Sequence, residues 1–234
     1  MNSLLSQKYP NNKFKIIIIN DASTDESEKF ILNKDGSVID DKIIYIKNKI
    51  NQTALPNICD AIINYCHPDD IVVLVDGDDQ VSGSHVLRKL NDFYNKKSCD
   101  LQYGQFRFST GQMGFASEYT EEEFKNLRKA PFKVSHIRTF RSFLFFELIR
   151  QDPNLKAMKD ALGGWYTMTY DVALFFPLIE IVGDLSKIGF NNEVLYEYNF
   201  QNPHSDHIKS QETQTRFHQE IANKPPFKKI ESYL

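Results

Sequence analysis

The sequence has few cysteines and no apolar run long enough to cross a membrane. Cys59, Cys66 and Cys99 are odd in number and lack the spacing of metal ligands, so we expect reduced thiols or core residues and no disulfide framework. A bilayer span needs about 20 consecutive apolar residues, and no stretch approaches that length. The polar start, Met1 to Ser3, does not resemble a signal peptide. These absences favour a cytoplasmic location, or a soluble domain cut from a larger or anchored protein.

A strong charge of either sign is also missing. The formal net charge of −3 supplies no basic field, so we expect no nucleic-acid partner. The chain has 234 residues, of which 41% are hydrophobic and 25% charged, and this length and composition fit a globular protein with one large domain or a domain with an elaborated tail.

The most informative stretch is an apolar run that ends in acidic residues. Ile71 to Val75 form a short continuous apolar segment, which predicts a strand buried on both faces. Asp76, Asp78 and Asp79 follow at once, and Gly77 is expected to let the backbone turn tightly so that the carboxylates converge. Clustered carboxylates are what Mn²⁺ or Mg²⁺ prefers, although a solvated acidic turn is the alternative interpretation.

Two further β-branched runs, Phe14 to Ile19 and Ile43 to Ile46, end in polar residues and alternate with predicted helices. This order predicts right-handed crossovers and one parallel sheet, in which Asp21, Asn48 and the acidic cluster share the carboxyl edge. Helices are also predicted from Glu26 to Leu32, Leu55 to Tyr65, Val86 to Tyr94, Glu118 to Arg128 and Arg138 to Arg150, with strands near Leu101 to Thr110.

Four ordered motifs resemble glycosyltransferase family 2, whose members are nucleotide-sugar transferases. They are IIINDASTD at residues 17–25, Asn48, ALPN at residues 54–57 and VLVDGDD at residues 73–79. The likeness continues more loosely to about residue 205. The resemblance implies a Rossmann-like GT-A fold, with a mostly parallel central sheet flanked by helices and a smaller mixed C-terminal half. We expect residues 1–100 to bind the nucleotide sugar, residues 101–205 to bind the acceptor, and residues 206–234 to form a tail.

The resemblance implies a nucleotide site. Asp21 matches the aspartate that bonds the base, usually uracil, and we expect Ser23, Asn48, Asn57 and Asp76 to contribute to the same site.

The resemblance also implies a cation site and a catalytic base. Asp76 and Asp78 match the metal-binding pair, Asp79 is an adjacent ligand candidate, and His204 is either a third ligand or a surface-loop histidine. Asp171 falls near the family's catalytic base, with a helix-capping aspartate as the alternative.

Two other side chains keep two interpretations each. Trp165 either stacks on an acceptor sugar or is a core ring. His136 either contacts phosphate or acceptor or is a hydrogen-bonded structural histidine.

The resemblance implies a metal-dependent, inverting transfer from a UDP-sugar donor to a hydroxyl group of a glycan, protein or lipid. The alternative is an inactive scaffold or binding domain that has lost donor affinity. A nucleotidyltransferase would show a glycine-rich, basic phosphate loop near the start, and none is present. Family members normally begin with a strand that precedes Leu4 to Pro10, so we expect a second copy, another partner or another segment to cover the exposed sheet edge.

Overall fold

The computed structural model describes residues 1–201 and 211–231, and in them it contains seven strands and seven α-helices. The strands are β1 (Ile16–Asn20), β2 (Ile43–Lys47), β3 (Ile71–Leu74), β4 (Gln80–Val81), β5 (Leu101–Phe108), β6 (Arg138–Arg141) and β7 (Ile188–Tyr198). The helices are α1 (Asn2–Leu5), α2 (Ala54–Tyr65), α3 (Val86–Lys97), α4 (Glu121–Lys125), α5 (Phe143–Gln151), α6 (Tyr170–Val182) and α7 (Gln211–Ala222). None of these helices combines the length and apolar composition that crossing a bilayer requires. The predicted α/β class is confirmed.

The strands form two separate sheets. In the smaller sheet β1 and β2 run parallel, with Ile16 opposite Ile43. The larger sheet has the order β3-β6-β5-β7-β4, in which β5 and β7 are parallel and the other neighbouring pairs are antiparallel. Because β1 and β2 are parallel, their carboxyl ends meet at one edge, and Asp21 and Asn48 follow those ends directly.

The predicted single parallel sheet is wrong for β3. This strand pairs antiparallel with β6, with Ile71 opposite Arg141 and Leu74 opposite Arg138. Within the described residues β3 has β6 as its only strand neighbour, so its side chains are half-buried and not fully buried. An apolar run identifies a strand from the sequence, but it does not specify the neighbour with which that strand pairs.

Helices cover both faces of the larger sheet. Successive side chains of a strand alternate between faces, and Thr139 and Phe140 of β6 do so. The Thr139 hydroxyl lies 2.9 Å from the Tyr94 hydroxyl of α3, whereas the Phe140 ring lies 5.7 Å from the Phe175 ring of α6. The α6 side holds the largest apolar cluster, to which α2 and α5 also contribute, and a smaller cluster lies around Leu90 of α3.

Helix α6 is the most buried helix described. Of its 13 residues, ten are buried, so it has no polar stripe facing solvent. It ends at Gly183, whose φ of +58° is the left-handed conformation that favours glycine after a helix. Its one acidic residue near that end, Glu180, accepts from Nε and Nη2 of Arg128 at 2.5 and 2.8 Å and from the backbone N–H of Phe227 at 2.9 Å. The Phe227 hydrogen bond joins α6 to the C-terminal segment, and the ion pair joins it to Arg128 after α4.

The described helices differ in extent from three predictions. The helix predicted from Glu26 to Leu32 is only the 3₁₀ turn Ser27–Phe30, because Leu32 already bridges to Val38. Of the helix predicted from Glu118 to Arg128, only α4 (Glu121–Lys125) is helical.

The third difference is at Arg138 to Arg150, where a strand precedes the helix. Arg138–Arg141 form β6, in the middle of the larger sheet, and α5 begins only at Phe143. The aromatic residues of this stretch suit either structure, so the apolar pattern alone assigned them all to a helix.

The three cysteines are free thiols, as predicted. Burial raises the pKa of Cys59 to about 12 and the pKa values of Cys66 and Cys99 to about 11.

Candidate functional site

The first part of the site follows β1, where Asp21 accepts three hydrogen bonds. Its Oδ1 accepts from Nδ2 of Asn48 at 2.7 Å and from the backbone N–H of Gln52 at 2.9 Å, and its Oδ2 accepts from the backbone N–H of Thr53 at 2.8 Å. Burial opposes ionisation of this carboxyl, but the hydrogen bonds outweigh burial and lower the pKa of Asp21. Asp21 is therefore a fixed, ionised acceptor at the end of the strand.

Asn48 links Asp21 to α2. Its Nδ2 group also donates to Oδ1 of Asn57 at 2.8 Å, so Asp21, Asn48 and Asn57 form one hydrogen-bonded group. Ser23 is exposed, and its backbone N–H donates to Oδ1 of Asn20 at 2.8 Å. Of the five predicted nucleotide-site residues, the structure thus brings Asp21, Asn48 and Asn57 into one group and leaves Ser23 on the adjoining loop. The fifth, Asp76, belongs to the second part of the site.

Two non-glycine residues with a positive φ flank this group. Ala22 has a φ of 60° and Thr53 a φ of 71°, which is unusual for a β-branched residue. The Oγ1 atom of Thr53 is buried and has no hydrogen-bond partner among the described residues. Such strained conformations concentrate at binding sites, and here both residues lie beside the Asp21 carboxylate.

The second part of the site follows β3, where two tyrosines hold two carboxylates. Asp76 Oδ1 accepts from the Tyr170 hydroxyl at 2.5 Å, and Asp79 Oδ2 accepts from the Tyr196 hydroxyl at 2.8 Å. The Tyr196 hydroxyl also accepts from the backbone N–H of Asp76 at 3.0 Å, and the backbone N–H of Asn199 donates to Asp79 Oδ1 at 2.7 Å. Side chains from α6 and β7 therefore fix the geometry of the acidic turn.

The turn does not need the conformational freedom of glycine. Gly77 lacks a positive φ, and a Cβ there would meet nothing within 4 Å. The backbone N–H of Asp79 closes the turn by donating to the Asp76 carbonyl at 3.1 Å. The predicted role of Gly77 is therefore wrong, although the carboxylates of Asp76 and Asp79 do converge.

Both converging carboxyls titrate above their usual range. Burial raises the pKa of Asp76, despite the opposing Arg138 charge and Tyr170 hydrogen bond, and burial raises the pKa of Asp79 to about 6. Among the described residues, no ion pair joins either of them to a lysine or arginine. A cation between these carboxylates would stabilise their ionised forms.

A histidine completes a donor set that fits a divalent cation. Asp76, Asp79 and His136 each offer one ligand atom, and the three atoms lie within 4.8 Å of one another. Burial, with the neighbouring Arg138 charge, holds the pKa of His136 well below its usual range, so its imidazole is neutral. Two carboxylates and one imidazole suit Mn²⁺, whereas Mg²⁺ favours oxygen ligands and water.

Two predicted metal ligands lie outside this group. Asp78 is exposed at the same turn, and its assignment as a ligand stays a prediction. His204 lies outside the described residues, so its assignment also stays a prediction.

Asp171 lies in the first turn of α6 and pairs with a buried arginine. Its Oδ2 accepts from Nη2 of Arg138 at 2.8 Å, and its Oδ1 accepts from the backbone N–H of Val172 at 2.9 Å. Nη1 of Arg138 also donates to the Tyr170 hydroxyl at 3.1 Å. Arg138 thereby connects Asp171, through Tyr170, to the carboxylate of Asp76.

Trp165 lies further along the same half of the chain. Its ring is partly buried against the largest apolar cluster, and Nζ of Lys159 lies 5.0 Å from the ring centroid. The packing interpretation accounts for these contacts, and stacking on an acceptor stays a prediction.

Sequence reasoning missed the partners of the acidic turn. The sequence pattern assigns no role to Tyr170, Tyr196 or Arg138, although each lies in a segment that resembles the family. The signal that was available is their position: Tyr170 adjoins Asp171, and Arg138 follows His136 by two residues. Long-range contacts of this kind are not visible in spacing.

The sequence profile described as glycosyl transferase family 2 matches residues 1–152, which include β1 to β6 and both groups of strand-end carboxylates. The chain belongs to glycosyl transferase family 2. No curated protein matches the chain in sequence.

Solved structures of TarS from S. aureus are similar in fold. TarS 1-349 in complex with UDP-GlcNAc superposes with a TM-score of 0.58 at 14% identity, over 89% of this chain and 55% of that one. TarS 1-349 in complex with UDP gives a TM-score of 0.52 at 16% identity, over 85% and 54% of the two chains. The likeness confirms the GT-A fold. This family 2 chain spans about half the length of those TarS chains.

Proposed function

We propose that this family 2 domain transfers a sugar from a uridine diphosphate sugar to a hydroxyl group of an acceptor, with the aid of a divalent cation. The observation that carries the proposal is the convergence of Asp76 and Asp79, which no described lysine or arginine neutralises through an ion pair, on a neutral histidine. An inactive scaffold would be expected to fill such an acidic site with basic side chains.

Asp21 supports a uracil site. A carboxylate has about four acceptor positions, and Asp21 accepts three described hydrogen bonds. The position that these bonds leave is suited to the imide N–H of uracil, and the Asn48 and Gln52 contacts hold the carboxylate in place for it. Ser23, Asn57 and Asp76 complete the nucleotide site that we propose.

The transfer that we propose is a direct displacement with inversion. The acceptor oxygen forms a bond to the anomeric carbon while the bond from that carbon to the diphosphate oxygen breaks, and Asp171 takes the hydroxyl proton. A bound cation would offset the charge of the leaving diphosphate. The Asp171 side chain is 24% exposed, so an acceptor can reach it, and Arg138 fixes its orientation.

The division of labour along the chain is also a proposal. We assign donor binding to residues 1–100 and acceptor binding to residues 101–205. The acceptor that we propose carries a hydroxyl group, as glycans, proteins and lipids do.

Calorimetric titration of UDP, with and without Mn²⁺, tests the proposal. We expect the wild type to bind UDP in a Mn²⁺-dependent manner and Asp79→Asn to bind at least about tenfold more weakly. Asp69→Asn is the matched control, because Asp69 is 94% exposed at the opposite end of β3. A hydrolysis assay with UDP-GlcNAc as the first donor then measures turnover. A folded wild type that binds no UDP would contradict the proposal and favour the scaffold.

A further inference from the structure

His136 lies in an aromatic enclosure, two residues before β6 begins. The residue is 8% exposed, and its ring stacks on Tyr196 with the centroids 4.5 Å apart and the planes 10° apart. Tyr198 lies 5.3 Å away on a tilted plane, and Phe106 meets the ring edge-on at 5.7 Å. Three rings therefore hold the imidazole in one orientation.

The same tyrosine positions both the imidazole and the carboxylates. Tyr196 stacks on His136, donates to Asp79 and accepts from the backbone N–H of Asp76. A ring nitrogen of His136 consequently lies within 4.8 Å of an oxygen of each carboxylate. No side-chain hydrogen bond of His136 is found within residues 1–201 and 211–231. A buried imidazole with this geometry has its lone pair available to a cation.

We propose that His136 is the nitrogen ligand of the cation that Asp76 and Asp79 hold, and that this ligand makes the site selective for Mn²⁺ over Mg²⁺. The inference rests on the proposed function, and it replaces the expectation that a histidine following the last family-like segment supplies the third ligand. An imidazole nitrogen is a better ligand for a transition metal such as Mn²⁺ than for Mg²⁺. Replacing His136 should therefore weaken cation binding while both carboxylates remain in place.

Electron paramagnetic resonance of bound Mn²⁺ tests this inference without an activity assay. Titration gives the affinity, and electron spin-echo modulation detects a ¹⁴N nucleus bound to the metal. The proteins compared are the wild type, His136→Gln, His136→Phe and His204→Gln. The phenylalanine variant retains a flat ring to stack on Tyr196, so it preserves packing while removing the ligand.

We expect nitrogen modulation in the wild type and in His204→Gln, and its loss in both His136 variants, with the Mn²⁺ dissociation constant raised at least about tenfold. The wild type should also bind Mn²⁺ more tightly than Mg²⁺ by at least about tenfold. Modulation that persists in either His136 variant would overturn the inference. So would the absence of modulation from the wild type, or its loss in His204→Gln, since both of these measurements are made with the His136 imidazole in place.

The outcome separates this inference from the proposed function. Mn²⁺-dependent UDP binding without nitrogen modulation would remove His136 from the ligand set and leave the transferase proposal standing. If the folded protein shows the modulation but binds no UDP, His136 is a metal ligand and the transferase proposal is contradicted.

Discussion

Asp21 is the residue whose hydrogen bonds most clearly require a carboxylate. Both of its oxygens accept from N–H groups, so an amide in its place must turn an N–H group toward another donor. We expect Asp21→Asn to lower the free energy of unfolding by about 1–3 kcal/mol. Urea unfolding at pH 7 measures this, and Asp69→Asn, with a change below about 0.5 kcal/mol, is the control.

The contribution of Asp21 should depend on pH. Hydrogen bonds lower its pKa in the folded protein, so its stabilisation is fully present above the unfolded pKa of about 3.9 and is lost as the pH falls through the lower, folded value. The difference in stability between the wild type and Asp21→Asn should therefore be constant from pH 7 to pH 5 and shrink below about pH 4. A difference that stays constant to pH 2 would contradict this account.

The thiols provide an independent test at the residue scale. Because burial raises the pKa values of Cys59, Cys66 and Cys99 to between about 11 and about 12, almost no thiolate is present at pH 8. We expect an aromatic disulfide reagent to modify the native thiols at least about a hundredfold more slowly than those of the urea-unfolded chain. Rapid modification of one thiol in the folded protein would show that its surroundings open readily.

Single residues also show what the sequence makes predictable. Asp21, Asn48 and Asn57 follow strand or helix boundaries that the local pattern reveals, and the structure joins them by hydrogen bonds. His136 and Tyr196 come together only through the pairing of β5, β6 and β7, which local spacing does not encode.

At the scale of elements, the Glu180 ion pair is the contact whose loss should cost most. Glu180 and Arg128 are 10% and 11% exposed, and Nη1 of Arg128 also donates to the Ile221 carbonyl of α7 at 2.5 Å. Removing Glu180 leaves the charge of Arg128 buried without its partner, so Glu180→Ala should lower the free energy of unfolding by about 3–5 kcal/mol.

The control for Glu180→Ala is an exposed pair of the same kind. Glu193 is 57% exposed beside Lys89, and Glu193→Ala should cost less than about 1 kcal/mol. Urea unfolding of both variants measures the difference. Equal costs would mean that α6 does not depend on this bridge to the C-terminal segment.

Helices and strands were predictable where a single period dominates the spacing of apolar residues. Helix α2 buries Leu55, Cys59 and Ile62 on one face, and the predicted helix from Leu55 to Tyr65 is confirmed. The stretch from Arg138 to Arg150 contains two elements in succession, and its phenylalanines occur in both of them, so the apolar pattern does not mark the boundary.

At the scale of the whole molecule, the family and its GT-A fold were predictable, whereas the arrangement of strands was not. The four motifs supply the resemblance, the profile confirms the family, and the TarS structures confirm the fold. The partition into two sheets depends on which edges pair, and β3 pairs with a strand that follows it by more than sixty residues along the chain. The prediction of a covering partner for an exposed edge stays a prediction.

The partition into two sheets has a consequence for cooperativity. The smaller sheet packs around Ile16, Ile31 and Ile43, and Leu4 also contacts the Leu90 cluster. Amide hydrogens of β1 and β2 should therefore exchange with solvent through local opening, at a lower free energy than those of β5 in the larger sheet.

A nucleotide sugar held by Asp21 on one sheet and by the acidic turn after β3 on the other would join these two units. Hydrogen exchange in β1 should slow when UDP and Mn²⁺ are added, while exchange in β5 changes little. Identical slowing in both strands would mean that the sheets already open together. Exchange that slows in β1 alone would show that the donor substrate makes two independently opening units unfold as one.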